Sequence, residues 1–349
     1  MTPKRALSRN RRLGFAAIAC ALALLLLEGA AGLILRVVDL SAPEPDAPSW
    51  LVSQQSGFKT GTYVPDPDVI WRLAPGIRAP TQDRLLWGLG PLETNEHGLR
   101  GPSVTKAKPD GVRRALVVGG SHPMGMFVEE RESYARALER RLNGGRGPRW
   151  EVLNASVAGH TTWQGLQYIR HHGLAFDPDV VIFDLGTNDD LPLALDFAAP
   201  DHEVTAVPPG VRSLVRLLEP SAAVHLVRQA VLPARRPEPG ARRVPLDRGL
   251  DNLNAASVLG KDHGFEVLFV QQVTLVHPPG MGRAEDGWVE CVRDYEGFEP
   301  RVDLCPLFMG LEGAAEGYFV DMIHANAAGH ARIADAMAAT FVEQGWATP

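Results

Sequence analysis

Residues 115–122 read Ala-Leu-Val-Val-Gly-Gly-Ser-His. The first five, Ala115–Gly119, are a short apolar run of the kind that forms a strand buried on both faces. Downstream the chain alternates. Ser133–Leu142 (SYARALERRL) has the helical period, with Tyr134, Leu138 and Leu142 spaced by four. Glu151–Ala155 (EVLNA) reads as strand and Trp163–His171 as helix. Asp179–Leu185 (DVVIFDL) is a second run of buried-strand type. Asp251–His263 is helical, Phe265–Val273 is strand, and Ala327–Gln344 is a final amphipathic helix. Strands alternating with helices predict an α/β fold with a parallel sheet covered on both faces. Two stretches break the rhythm. Arg235–Arg248, rich in Pro and Arg, reads as a surface loop. His277–Gly317 reads as a long loop of the kind that forms lids or substrate walls.

In open α/β sheets ligands bind beyond the carboxyl ends of the strands. The residues there are Gly119-Gly120-Ser121-His122, then Asn154 to His160 (NASVAGH), then Gly186-Thr187-Asn188-Asp189. Asp321-Met322-Ile323-His324 precedes the last helix. Taken singly, Ser121 reads as a helix cap and Asp321 as part of an N-cap. Together they fill a complete set of roles. Ser121 offers a hydroxyl, His324 a general base, and Asp321 a carboxylate that can orient the imidazole from the same turn. The Ser121 N–H, the Gly159 N–H and the Asn188 amide are three donors for an oxyanion. His160 could touch substrate or lie on the surface. His330 reads as structural, and Asp189 and Asp190 as caps of the next segment. Trp163 and Trp288 fit either a sugar or acyl site or the core. The glycine loop has neither the G-K-[ST] of a phosphate loop nor the G-x-G-x-x-G spacing, and Pro123 stands where a G-x-S-x-G elbow needs glycine. No His/Cys/Asp cluster has metal-ligand spacing, so neither metal nor cofactor is expected.

The termini and the charge set the wider frame. Lys4, Arg5, Arg9, Arg11 and Arg12 precede Leu13–Leu35, an apolar stretch interrupted by one charge, Glu28. As a helix it would reach roughly 34 Å against a bilayer core of about 30 Å. The flanking positives would remain in the cytoplasm, so the rest of the chain is expected outside it. The alternative is a signal peptide cleaved near Gly29-Ala30-Ala31 and a secreted body. From Asp39 onward 29 basic residues face 40 acidic ones, a poor surface for nucleic acid. Cys20 lies in the apolar stretch. That leaves Cys291 and Cys305 as a disulfide pair in an oxidising compartment, or as two buried thiols. The expected organisation is a basic tail over residues 1–12, a transmembrane segment over 13–38 and a linker over 39–50. An irregular preface over 51–112 and the catalytic domain over 113–349 complete it.

The four strand-end blocks resemble the SGNH (GDSL-type) hydrolase family over roughly residues 113–345, and Thr94–Pro102 (TNEHGLRGP) resembles a segment of its bacterial, membrane-anchored members. The resemblance implies a flavodoxin-like three-layer α/β/α sandwich with a parallel sheet of about five strands. It assigns Ser121 as nucleophile, His324 and Asp321 as base and acid, and Ser121, Gly159 and Asn188 as oxyanion donors. The usual Gly-Asp-Ser is Gly119-Gly120-Ser121 here, and that Asp is not the triad acid. The implied activity is extracytoplasmic ester hydrolysis by a protein of the inner membrane. The ester would be a short-chain or O-acetyl one, on an acylated envelope polysaccharide or lipid. The alternatives are an O-acyltransferase with the same triad and a non-catalytic polysaccharide-binding or assembly protein.

Overall fold

The computed structural model describes residues 9–39, 61–79, 92–190, 201–202, 223, 242–276, 288–291, 297–309, 317–321 and 323–348. The chain forms two compact units, one of residues 1–48 and 207–236, the other of residues 49–206 and 237–349. The first unit contains helix α1 (Arg9–Asp39), in which the Glu28 carboxylate accepts the Ala223 N–H at 3.3 Å. A helix therefore stands where the transmembrane segment was expected. Among the described residues, however, no helix is long and apolar enough to cross a membrane. Most of the 39–50 linker lies outside the described residues.

The second unit is built on five parallel strands: β5 (Val112–Gly119), β6 (Arg149–Asn154), β7 (Val180–Asp184), β8 (Glu266–Gln271) and β11 (Arg301–Asp303). They lie in the order β11-β8-β7-β5-β6. In chain order that is the 2-1-3-4-5 arrangement of the flavodoxin-like folds, with its switch point between β5 and β7. Alternate side chains of each strand enter opposite layers. Ala115, Val117, Val180 and Ile182 pack under helices α3 (Tyr134–Leu142) and α7 (Ala327–Glu343). Leu116, Val118, Val181 and Phe183 pack under α4 (Thr162–His171) and α5 (Leu246–His263). Caps fix where these helices begin. Ser133 starts α3, Thr161 and Gln164 form a capping box on α4, and Asn326 accepts the Ala328 and Gly329 N–H groups at 2.9 and 3.1 Å to start α7.

Three sequence expectations need correction. The stretch 277–317 is not one loop. It carries β10 (Trp288–Cys291), paired with β9 (Val273–Val276), then the fifth sheet strand β11 and the short helix α6 (Cys305–Phe308). Three residues are too few to show a period, and β11 exists because it pairs with Phe269–Gln271 of β8. The preface, where described, is ordered. Strands β1 (Tyr63–Asp66) and β2 (Ile70–Leu73) form a hairpin, and β3 (Arg78–Ala79) pairs with β4 (Leu92–Glu93). Arg235–Arg248 is not wholly a surface loop: Arg243 is 3% exposed and Leu246 opens α5. Cys291 and Cys305 form a disulfide joining β10 to α6.

Candidate active site

The first loop after the switch point is packed so tightly that side chains would not fit. A Cβ at Gly119 would lie 2.1 Å from Pro123 and 2.6 Å from the Asp184 carbonyl. A Cβ at Gly120 would lie 2.7 Å from the Asn188 amide nitrogen and 3.7 Å from the His160 carbonyl. The two glycines thus let the loops after β5, β6 and β7 converge. Ser121 opens a four-residue helix, α2 (Ser121–Met124), closed by Gly125 at φ 81°.

The structure brings Ser121, His324 and Asp321 together. Ser121 Oγ lies 2.8 Å from His324 Nε2, and His324 Nδ1 lies 2.7 and 2.9 Å from the Asp321 oxygens. With the Nδ1 proton donated to the carboxylate, Nε2 accepts from the serine hydroxyl. Asp321 Oδ1 also accepts the N–H groups of Ile323 and His324, at 2.9 and 2.8 Å, so one carboxylate fixes both the turn and the ring. His324 is 7% exposed and meets Phe127 in a T-shaped contact. Burial works to raise the Asp321 pKa, but the hydrogen bonds and positive charge of His324 outweigh it and hold the carboxyl below its ordinary value.

The expected oxyanion donors are placed differently from one another. Asn188 shares a cleft with Ser121 whose walls include His122, Asp184, Thr187 and Gln272; its amide donates to the His160 carbonyl at 2.9 Å. Gly159 does not line that cleft. It sits at φ 79° in the adjacent turn, and among the described residues its N–H has no acceptor. The Ser121 N–H is the first of its helix and so has no intrahelical partner.

Other expectations shift. His160 is not a surface residue. It is 1% exposed, its Nε2 lies 2.8 Å from the Trp71 carbonyl, and burial pushes its pKa down to about 3. His330 is buried and accepts the Tyr134 N–H at 3.2 Å. Asp189 accepts the N–H and hydroxyl of Thr162 at the start of α4, and Asp190 pairs with Arg242 at 2.7 Å; the segment after them, which they were expected to cap, lies outside the described residues. Trp163 meets His202 edge-on, and Trp288 lies in β10. Folding also gathers Asp66, Asp68 and His172 within 4.8 Å of one another, a grouping the sequence spacing does not show. The Asp66 oxygens there already face Arg72 Nε at 3.1 Å, His172 at 3.2 Å and two backbone N–H groups, the arrangement of an ion-pair network.

Sequence reasoning missed Asp184. It is fully buried at the end of β7 and accepts from the Tyr134 hydroxyl at 2.8 Å and the Gln272 amide at 2.5 Å. Gln272 in turn accepts from the N–H and hydroxyl of Thr187, next to Asn188. The signal was present: an acid inside the apolar run DVVIFDL demands a partner.

The GDSL-like Lipase/Acylhydrolase family matches residues 117–332. No curated protein matches the chain. Among solved structures, a lipolytic protein of the G-D-S-L family from Desulfitobacterium hafniense is 11% identical over 65% of this chain and 98% of its own, with a TM-score of 0.40. TesA is 19% identical over 66% and 98%, at 0.40. The esterase EstA from Pseudoalteromonas sp. is 14% identical over 66% and 98%, also at 0.40. TM-scores of this size say nothing of substrate.

Proposed function

The chain belongs to the GDSL-like lipase/acylhydrolase family and is an ester-bond hydrolase, and on that premise we propose that it is a serine esterase whose nucleophile is Ser121. The observation that carries this is the continuous relay from Ser121 Oγ through His324 to Asp321. Ser121 Oγ attacks the acyl carbonyl as its proton passes to His324 Nε2. The imidazolium is stabilised by Asp321 and returns the proton to the departing alcohol. The Ser121 N–H and the Asn188 amide, which share the cleft, receive the tetrahedral oxyanion, and the Gly159 N–H of the adjacent turn, which has no acceptor among the described residues, is the third donor of this reading. Each such donor is worth about 10²–10³ in rate. Water activated by His324 then releases the acyl group and regenerates the serine.

The substrate is proposed to be a short-chain or O-acetyl ester. Asp184, Thr187 and Gln272 give the cleft beside Ser121 polar walls, which suit a small acyl group on a hydroxylated alcohol. We propose an extracytoplasmic site held at the inner membrane by the N-terminal segment, on an acylated envelope glycan or lipid. Support for this comes from the basic cluster ahead of the apolar stretch and from the Cys291–Cys305 disulfide. Turnover of p-nitrophenyl acetate, butyrate and octanoate by the purified full chain tests the chemistry. Ser121→Ala should lower it at least about 10³-fold, with acetate the preferred substrate. Undiminished turnover by Ser121→Ala would overturn the assignment.

A further inference from the structure

The turn Ala158-Gly159-His160 has each of its three carbonyls held by a side chain from a different part of the chain. Trp71 Nε1–H donates to the Ala158 carbonyl at 3.3 Å, Arg243 Nη1 to the Gly159 carbonyl at 2.6 Å, and Asn188 Nδ2 to the His160 carbonyl at 2.9 Å. The holders are themselves fixed. Arg243 is 3% exposed and also donates to Asp201 (2.9 and 3.3 Å) and Gln164 (2.8 Å). Its guanidinium lies 5.3 Å from the centre of the Trp71 ring, within cation–π reach. Trp71 is 2% exposed and is gripped a second time through its own carbonyl by His160 Nε2, at 2.8 Å.

The geometry of the peptide bond turns this into a statement about catalysis. The Ala158 carbonyl and the Gly159 N–H belong to one planar trans peptide, so whatever fixes the carbonyl aims the N–H the opposite way. Gly159, at φ 79°, is the swivel between that plane and the next. Glycine resists rotation least of all residues, so an oxyanion donor carried there needs both planes held. Trp71 holds the first plane; the second is held at its carbonyl by Arg243 and at its N–H by the Val157 carbonyl, which accepts from His160 at 3.1 Å. We infer that Trp71 and Arg243 are positioning residues that aim the Gly159 N–H at the developing oxyanion. This inference rests on the serine-esterase reading. It also makes hairpin β1–β2 and the segment leading into α5 part of the catalytic apparatus.

The test uses the purified full chain and p-nitrophenyl acetate. Active sites are counted by stoichiometric reaction of Ser121 with a chromogenic phosphonate. Trp71→Phe removes one N–H and keeps a ring beneath Arg243. Arg243→Lys keeps the charge and cannot reach both Gly159 and Asp201; Arg243→Met removes both. Turnover per titrated site should fall about 10-fold in Trp71→Phe and up to about 10²-fold in Arg243→Met, the scale of a weakened oxyanion donor. Arg243→Lys should fall between wild type and Arg243→Met. KM should stay within about twofold, since the donor acts on the transition state. A purely structural role would lower the number of titratable sites and leave turnover per site at the wild-type value, and that result overturns the inference. If Arg243→Met does not fold, Trp71→Phe and Arg243→Lys decide the matter. Wild-type turnover that survives Ser121→Ala would sink the esterase reading and the clamp with it. Loss in Ser121→Ala with full turnover per site in the clamp variants would sink the clamp alone.

Discussion

Replacing Gly120 by alanine tests the convergence of the loops directly. The new Cβ would lie 2.7 Å from Asn188 Nδ2, where ordinary contact begins at 3.4 Å, so the amide must retreat by about 0.7 Å. It is the free end of a short side chain and can do so, but only by loosening its 2.9 Å bond to the His160 carbonyl. The backbone itself is indifferent: Gly120 has φ −88° and ψ −151°, which alanine adopts without strain. Stability should therefore be unchanged or gain about 0.4–1 kcal/mol from the stiffer unfolded chain. Activity should suffer. Complete loss of one oxyanion donor costs about 10²–10³ in kcat, or roughly 2.7–4 kcal/mol. A donor displaced but present should cost about 10- to 10²-fold. The assay is a double-mutant cycle with Asn188→Ala, reading kcat on p-nitrophenyl acetate beside the thermal midpoint. Gly120→Ala acts through Asn188, so adding it to Asn188→Ala should cost nothing more. Wild-type kcat in Gly120→Ala, or two losses that multiply, would refute the reasoning.

Three further outcomes are expected. His160 and His330 are both held neutral by burial, His160 down to about 3 and His330 well below its ordinary value, whereas in the unfolded chain both bind a proton near pH 6.5. The stability this confers is complete above pH 6.5 and drains as the pH falls toward 3, at about 1.4 kcal/mol per pH unit for each histidine; urea midpoints at pH 7.5, 6 and 5 should show it, His330→Asn should flatten the slope, and a level profile would contradict it. Arg114 is fully buried and donates to Glu151, Thr105, Lys106 and Phe176 at 2.7–2.9 Å. Arg114→Met should cost about 3–5 kcal/mol in urea unfolding while leaving turnover per titrated site unchanged. The Cys291–Cys305 bridge spans 14 residues, and Cys291→Ser with Cys305→Ser should lose about 3 kcal/mol on chain-entropy grounds, read as a lowered thermal midpoint.

Much of the sheet could be read from the chain because its central strands are continuous apolar runs. Val117 and Ile182 face one layer, Val118 and Phe183 the other. The positions just past those runs were equally legible, since chain order alone puts Ser121 and Asn188 at one edge of such a sheet. The rest depends on partners that no local window contains. Strand β11 has no pattern of its own and is defined by β8. Arg243 sits in a Pro- and Arg-rich stretch that looks solvated, and it is buried because Gly159, 84 residues earlier, and Asp201, 42 residues earlier, need it. His160 looks free beside a glycine and is enclosed because Trp71, 89 residues away, folds over it. Arg100, in TNEHGLRGP, grips the Met124, Gly125 and Val128 carbonyls behind the nucleophile, contacts that span more than twenty residues.

The hydrogen bond between Ser121 and His324 joins positions 203 residues apart. The hydroxyl belongs to an early strand end, and its base arrives 203 residues later, just ahead of α7. A nascent chain can lay down β5, β6, β7 and β8 and still be unable to cleave an ester. At ribosomal rates of about 5–20 residues per second, roughly ten to forty seconds separate the two halves of the relay. Catalysis therefore waits for the segment around His324. Any truncated or stalled product lacking the segment around His324 is silent, and a serine-reactive probe applied during synthesis would label only chains that have reached it.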